Sequence, residues 1–122
     1  MAHRTAESHA GFLLPHLRPG MRLLDCGCGP GTITEGLAAA VAPGPTVGVD
    51  VDPSEAARAA GRGIPGATFT ACDATALPFP DGAFDAVHAR ALLEHLRRPE
   101  DAVAEMRRVP APGGVIGVAT PD

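Results

Sequence analysis

LLDCGCGPGT, residues Leu23 to Thr32, is an apolar run that ends in an acid and then breaks into Gly27-x-Gly29-x-Gly31. Packing preference does not place three glycines in five positions. Glycine lets a backbone turn sharply and lets a ligand approach with no Cβ in the way. Downstream, Ile33, Leu37 and Val41 lie on one helical face between Thr32 and Ala42, until Pro43-Gly44-Pro45 stops the helix. The local reading is strand, glycine loop, helix. The helix N-terminus points back at the loop, where it favours a negative group such as a carboxylate.

Helix and strand signals alternate outward from this unit. Ala6 to Leu17 reads as a short helix before Pro19-Gly20, and Met21 to Cys26 as the first strand. Thr46 to Asp50 is a second strand closed by an acid. Asp52 caps the next helix, Pro53 suits its first turn, Glu55 completes an Asp-x-x-Glu box, and the helix breaks near Gly61 and Gly63. Ala67 to Ala71 is a third strand, Leu77 to Gly82 a rigid loop, and Phe84 to His88 a fourth strand. Arg90 to Leu96 reads as a short helix. Glu100 to Val109 is another, with acids at its start and Arg107-Arg108 at its end, matching the helix dipole. Gly114 to Ala119 is a fifth strand.

Such alternation predicts right-handed crossovers and a parallel sheet, hence an α/β fold with helices on both faces. These sheets bind ligands at the carboxyl ends of their strands, near the switch in strand order. The glycine loop, Asp50 and Asp73 all fall on that rim.

A length of 122 residues fits one domain, spanning 1–122. A net charge of −4 argues against an electrostatic grip on nucleic acid. No apolar stretch approaches the ~18 residues of a membrane span. Met1 to Ser8 lacks the layout of a signal peptide. The expectation is a cytoplasmic protein with neither nucleic acid nor membrane as partner. Cys26, Cys28 and Cys72 make neither a disulfide framework nor a zinc site, so no metal is expected and the thiols read as small buried residues.

Asp50 follows the loop by about one βα unit, where an acid accepts from both hydroxyls of a ribose. A dinucleotide fingerprint is G-x-G-x-x-G. Here the third glycine comes one position early and Thr32 stands in its place. Asp25, before the loop, would repel a pyrophosphate and suits a ligand bearing an ammonium. No Gly-Lys-Ser/Thr ending is present, which excludes a P-loop.

LLDCGCGPGT, VGVDVDPS, FTACDATALPFPDGAFDAV and EMRRVPAPGGVIGV, in this order and spacing, resemble the motifs of class I S-adenosylmethionine-dependent methyltransferases. The resemblance is closest to the small-molecule branch that includes the ubiquinone/menaquinone C-methyltransferases. It implies a Rossmann-like sheet of order 3-2-1-4-5, S-adenosyl-L-methionine as cofactor, S-adenosyl-L-homocysteine as product and a small-molecule methyl acceptor. Asp25 would help hold the methionine amino group, through the loop or a water. Gly27, Gly29 and Gly31, with Cys28 among them, would pass beneath the methionine and ribose. Asp50 would take the ribose hydroxyls and Val51 would flank the adenine. Asp73 would accept from the adenine amino group, with the Ala74 N–H near a ring nitrogen. His88, Ala89 and Arg90 would face the methionine end and the substrate.

A base is needed only if the nucleophile must lose a proton; His88, Glu94 and His95 are the candidates. His9 would reach the pocket only if the first helix folds over it, and His16 reads as a surface residue. Asp85, at the start of its strand, reads as structural.

The chain also departs from the family. Pro110-Ala111 replaces the usual Leu-Lys, and a proline there would shorten the last helix by a turn. Five strands stand where the family has seven, without the C-terminal antiparallel hairpin, and the N-terminal lid and substrate-binding insertions are missing or short. The alternative expectations are a non-catalytic cofactor-binding module or truncated remnant and, disfavoured by the glycine spacing, a nicotinamide-dependent oxidoreductase. The apolar edge VIGVA of strand five would favour self-association.

Overall fold

A computed structural model describes residues 12–90 and 98–119. Five parallel strands, β1 (Leu23–Cys26), β2 (Thr46–Asp50), β3 (Ala67–Ala71), β4 (Phe84–Arg90) and β5 (Pro110–Ala119), form one sheet of order β3-β2-β1-β4-β5. The strand order is the one the sequence predicts. Among the described residues three α-helices lie between strands: α1 (Thr32–Val41), α2 (Pro53–Gly61) and α3 (Pro99–Arg108).

The register decides which residues share a face. Asp25 pairs with Gly48 and His88, and His88 pairs with Gly117. Side chains alternate along a strand, so these four positions form one row across one face. Leu23 and Ala86, one pair below in that face, pack against Leu13, Leu17, Ile33, Leu37 and Val41 from α1 and the 13–17 segment. On the opposite face Leu24, Cys26, Val49, Val87 and Ala89 pack against Leu77, Phe84, Met106 and Val109. The sheet is thus covered on both sides, and all four residues of β1 are buried, as expected for a central parallel strand. Each fully buried leucine or valine here contributes roughly 1.5–3 kcal/mol relative to exposure.

Several boundaries differ from expectation, each for a local reason. β1 starts at Leu23, not Met21, because the Arg22 backbone is occupied by Asp85: its N–H donates to Asp85 Oδ2, and its carbonyl accepts from the Asp85 and Ala86 amides. Residues 6–11 of the first expected helix lie outside the described residues. Its end is a 3-10 turn, Leu14–His16, with Pro15 inside it, and Leu17 is already extended. β4 does not end at His88. Ala89 and Arg90 continue the ladder opposite Val118 and Ala119, so Arg90 closes a strand where a helix was expected to start, and residues 91–97 lie outside the description. Pro110 does not shorten the last helix. α3 runs to Arg108, the Val109 amide still donates to the Glu105 carbonyl at 3.0 Å, and Pro110 opens β5 opposite Phe84. The pairing then slips before Val115 meets Ala86. β5 therefore starts four residues before the expected Gly114.

Candidate functional site

The rim at the carboxyl ends of β1 and β2 is built by the glycine loop. Gly27, Gly29 and Gly31 all have positive φ, at 76°, 53° and 90°. A side chain would be strained at each. Gly31 is also the N-cap of α1 and lies against α2: a Cβ there would sit 3.1 Å from Ala59 Cβ and 3.3 Å from Ile64 Cδ1. At Gly29 a Cβ would meet only Glu55 Oε2, at 3.5 Å, so this turn is open above the backbone. The Gly27 and Cys28 amides both donate to the Val49 carbonyl, at 2.8 and 2.9 Å, which fastens the loop to β2.

Asp50, at the end of β2, joins three segments. Its Oδ2 accepts from the Gly29 amide and its Oδ1 from the Asp52 amide, both at 2.9 Å, while its carbonyl accepts from the Cys72 amide at 3.0 Å. This also revises the capping of α2. Asp52 caps it as expected, accepting from the Ser54 amide, but the Asp52 N–H goes to Asp50 and Glu55 pairs with Arg58, so the expected reciprocal box is not formed. Beside Asp50, Val51 is 70% exposed, an apolar side chain with its face to solvent. At the end of β3, Asp73 is exposed. Its Oδ1 accepts from the backbone and hydroxyl of Thr75, which hold its carboxyl below the usual range, and Ala74 is buried beside it.

Asp25 and His88 lie lower, inside the protein. Each is 1% exposed. Asp25 Oδ2 accepts from the Thr34 hydroxyl at 2.6 Å, and its Oδ1 lies 2.8 Å from His88 Nδ1. His88 Nε2 is buried and has no hydrogen-bond partner among the described residues. The Phe12 ring lies against the imidazole, with centroids 6.5 Å apart.

Other expected residues fall as follows. Ala89 is fully buried in the second core, so only its backbone is available to a ligand. Cys26 and Cys28 are buried and Cys72 half-buried; all three are free thiols. Burial, with Asp25 and Asp50 nearby, pushes the Cys28 thiol up to about 12. Among the described residues no group of three His, Cys, Asp or Glu could hold a metal ion. Asp85 binds Arg22 at the amino end of β4, away from the rim. His16 is exposed. His9, Glu94 and His95 lie outside the described residues. No helix among the described residues is long and apolar enough to cross a membrane.

Two participants escaped the sequence reading. Thr34 stands one position after Ile33 in an otherwise apolar helix face, and a polar residue there is the signal that could have found it. Phe12 gave no such signal.

The rim thus presents an acceptor pair at Asp50, an exposed apolar side chain at Val51, a second carboxylate at Asp73 and an open glycine turn leading into a helix N-terminus. These groups suit a ligand that joins a nucleoside to an amino acid.

A family model described as "Methyltransferase domain" matches residues 24–118. Demethylmenaquinone methyltransferase of Renibacterium salmoninarum is 41% identical over 105 residues, covering 83% of this chain and 41% of its own length. Among solved structures, a [4+2]-cyclase superposes with a TM-score of 0.80 at 37% identity, covering 89% of this chain and 43% of its own. A geranyl diphosphate methyltransferase solved in complex with S-adenosylmethionine has a TM-score of 0.80 at 27% identity, covering 91% of this chain and 47% of its own. The chain spans less than half the length of the curated relatives it matches.

Proposed function

This chain belongs to the Methyltransferase-domain family, and from that premise we propose that it binds S-adenosyl-L-methionine on the rim of β1 and β2 and transfers the methyl group to a small-molecule acceptor, releasing S-adenosyl-L-homocysteine. The observation that carries the proposal is the tie between Asp50 and the Gly29 amide. It presents a carboxylate at the end of β2 directly beside an open glycine turn, the pairing a ribose and its aminoacyl arm require.

In this reading residues 1–122 act as one binding domain in a cytoplasmic protein. Gly27, Cys28, Gly29 and Gly31 underlie the aminoacyl and ribose groups. Asp50 keeps lone pairs for the ribose hydroxyls, Val51 flanks the adenine, and Asp73 with the Ala74 amide reads its edge. Asp25, His88 and the Ala89 backbone belong to the methionine end. When bound, the cofactor supplies an activated methyl group on a sulfonium. The protein's part is alignment, which can supply several kcal/mol of barrier reduction. His88, Glu94 and His95 are the candidate bases for an acceptor that must lose a proton. Among the described residues β5 is an edge of the sheet, with Ile116 and Val118 each 44% exposed, and we read this edge as a site of self-association.

A second reading has one observation behind it. The match at 37% identity to a protein named as a [4+2]-cyclase favours a chain whose fold serves something other than methyl transfer, such as a non-catalytic binding module.

The test is calorimetric and thermal-shift binding of S-adenosylhomocysteine, with Asp50→Ala as control. Ligand at ~100 times its dissociation constant stabilises the fold by about 2.7 kcal/mol. A folded wild-type chain that shows no shift and no heat would refute the proposal. Methyl transfer to small-molecule acceptors then separates the two readings.

A further inference from the structure

β3 is the sheet's other edge, opposite β5, and its five residues are Ala67-Thr68-Phe69-Thr70-Ala71. The stretch reads the same in both directions from Phe69. It carries no charge and no proline, the devices that ordinarily keep an edge from pairing with another chain. Thr68, Thr70 and Ala71 are exposed, and among the described residues no strand lies beyond them.

The bonds to β2 decide which backbone groups point outward. The Gly66 carbonyl accepts from the Thr46 amide at 2.9 Å, and the Cys72 amide donates to the Asp50 carbonyl at 3.0 Å. Even-numbered residues of this stretch therefore turn their backbone groups toward β2. The direction alternates from one residue of a strand to the next, so Phe69 and Ala71 present both N–H and C=O at the open edge. Ala67 presents its carbonyl alone, because its amide donates to the Ile64 carbonyl at 3.2 Å. The centre of the palindrome is thus a residue with one outward donor and one outward acceptor. The Phe69 ring leaves that edge clear. It lies back over β2, where a Cβ at Gly48 would sit 2.5 Å from two of its carbons.

We propose that β3 pairs antiparallel with β3 of a second copy of this chain, about a two-fold axis at Phe69. Phe69 and the partner's Phe69 exchange both of their bonds, and each Ala71 amide donates to the partner's Ala67 carbonyl. Thr68 then stands opposite the partner's Thr70 as a close, non-hydrogen-bonded pair, a threonine pairing that stabilises antiparallel ladders. The same patch serves both copies, so association through this edge closes at the dimer. Antiparallel pairing points the two rims of carboxyl strand ends in opposite directions and leaves both open. The contact is separate from the β5 edge and does not depend on the cofactor reading.

Sedimentation equilibrium of the wild-type chain and two double variants tests the pairing. Thr68→Lys with Thr70→Lys sets lysine opposite lysine at both pairs. Thr68→Lys with Thr70→Glu sets lysine opposite glutamate at both. The wild-type chain should pass from monomer to dimer mass below about 1 mM. The lysine–lysine variant should associate about tenfold more weakly or worse, and the lysine–glutamate variant within about threefold of wild type. A wild-type chain that is still monomeric at about 1 mM overturns the proposal. So does a lysine–lysine variant that associates as wild type does, which would put association at another surface, β5 included. Equal loss in both variants excludes the two-fold register and overturns it too.

If either variant does not fold, amide exchange in the wild-type chain decides. The Phe69 and Ala71 amides should slow about tenfold or more as concentration rises through the transition, while the Thr70 amide, which faces β2, changes far less. Phe69 and Ala71 amides that exchange at the same rate at every concentration refute the pairing.

Discussion

Gly29 and Asp50 are 21 residues apart in sequence and joined by a 2.9 Å hydrogen bond from the glycine amide to the aspartate carboxylate. The bond makes the loop and the end of β2 one unit, so the shape of the turn and the position of the acid are not independent. Asp50→Ala removes the proposed ribose acceptor and releases the loop together. S-adenosylhomocysteine binding should weaken at least a hundredfold, from the loss of two bonds to a charged group at about 1.5–3 kcal/mol each. Asp50→Asn, which can still accept from Gly29, should lose less. Calorimetry on both variants checks the order; equal losses would mean the tie to the loop contributes nothing.

Thr34 is 0% exposed and donates to Asp25 at 2.6 Å. Thr34→Val keeps the shape and deletes the donor, leaving Oδ2 of a buried carboxylate unsatisfied. The expected cost is about 2 kcal/mol in urea unfolding, with Thr34→Ser recovering most of it. A valine variant as stable as wild type would show that Asp25 finds a replacement donor.

The succession of strands and helices along the chain and the placement of Asp50 and Asp73 at strand ends were legible because both follow from local pattern, apolar runs closed by acids and separated by helix caps, whereas the order of strands across the sheet came only from the resemblance to a family. The glycine loop was legible for the same reason, since positive φ needs glycine and glycine spacing is visible in one dimension. The Asp25–His88 pair was not. It depends on the register of β1 against β4, which brings together residues 63 positions apart, and no local signal records a register. The end of β4 was misread because Ala-Arg after His88 suits a helix as well as a strand, and pairing with β5 decided it. The start of β5 was misread because Pro110 and two glycines look like a turn, yet they lie beside Phe84 before the ladder resumes.

Asp85 is held down to about 2 by hydrogen bonds from the Arg22 side chain and backbone, with the guanidinium charge adding to them. A carboxyl depressed in the fold contributes stability that is present above its unfolded value, near 4, and lost as pH falls toward 2. Both side chains are partly exposed, so solvent screens the pair and about 1 kcal/mol is the expected contribution at pH 7. Asp85→Asn should therefore be less stable than wild type by about that amount at pH 7, and the gap should close between pH 4 and 2. A gap that does not vary with pH would assign the effect to the backbone bond alone.

Arg108 fastens the loop after β3 to α3. Its guanidinium donates to the carbonyls of Phe79 and Leu77 and pairs with Glu105 and Asp81. Glu105, held below its usual range chiefly by Arg108, accepts in turn from the Leu77 amide. Arg108→Ala should lower stability in urea unfolding and speed amide exchange in residues 77–82. Arg108→Lys should recover only part, because an ammonium lacks the planar fork that reaches two carbonyls and two carboxylates at once. Full recovery by lysine would reduce the clasp to simple charge.

The three thiols should separate by reactivity. Burial raises all three, Cys26 most and Cys28 to about 12, while Cys72 is the one that is only half-buried. The thiolate is the reacting species, so at pH 8 a disulfide reagent should label Cys72 first. Cys26 and Cys28 should react only as fast as the fold opens. Cys28 lies in the glycine loop and Cys26 in the second core, so local opening of the loop should expose Cys28 before global unfolding exposes Cys26. S-adenosylhomocysteine, by holding the loop, should slow Cys28 and leave Cys26 tied to global stability. Peptide mapping after timed labelling reads the order. Simultaneous labelling of Cys26 and Cys28 would mean the loop opens only when the sheet does.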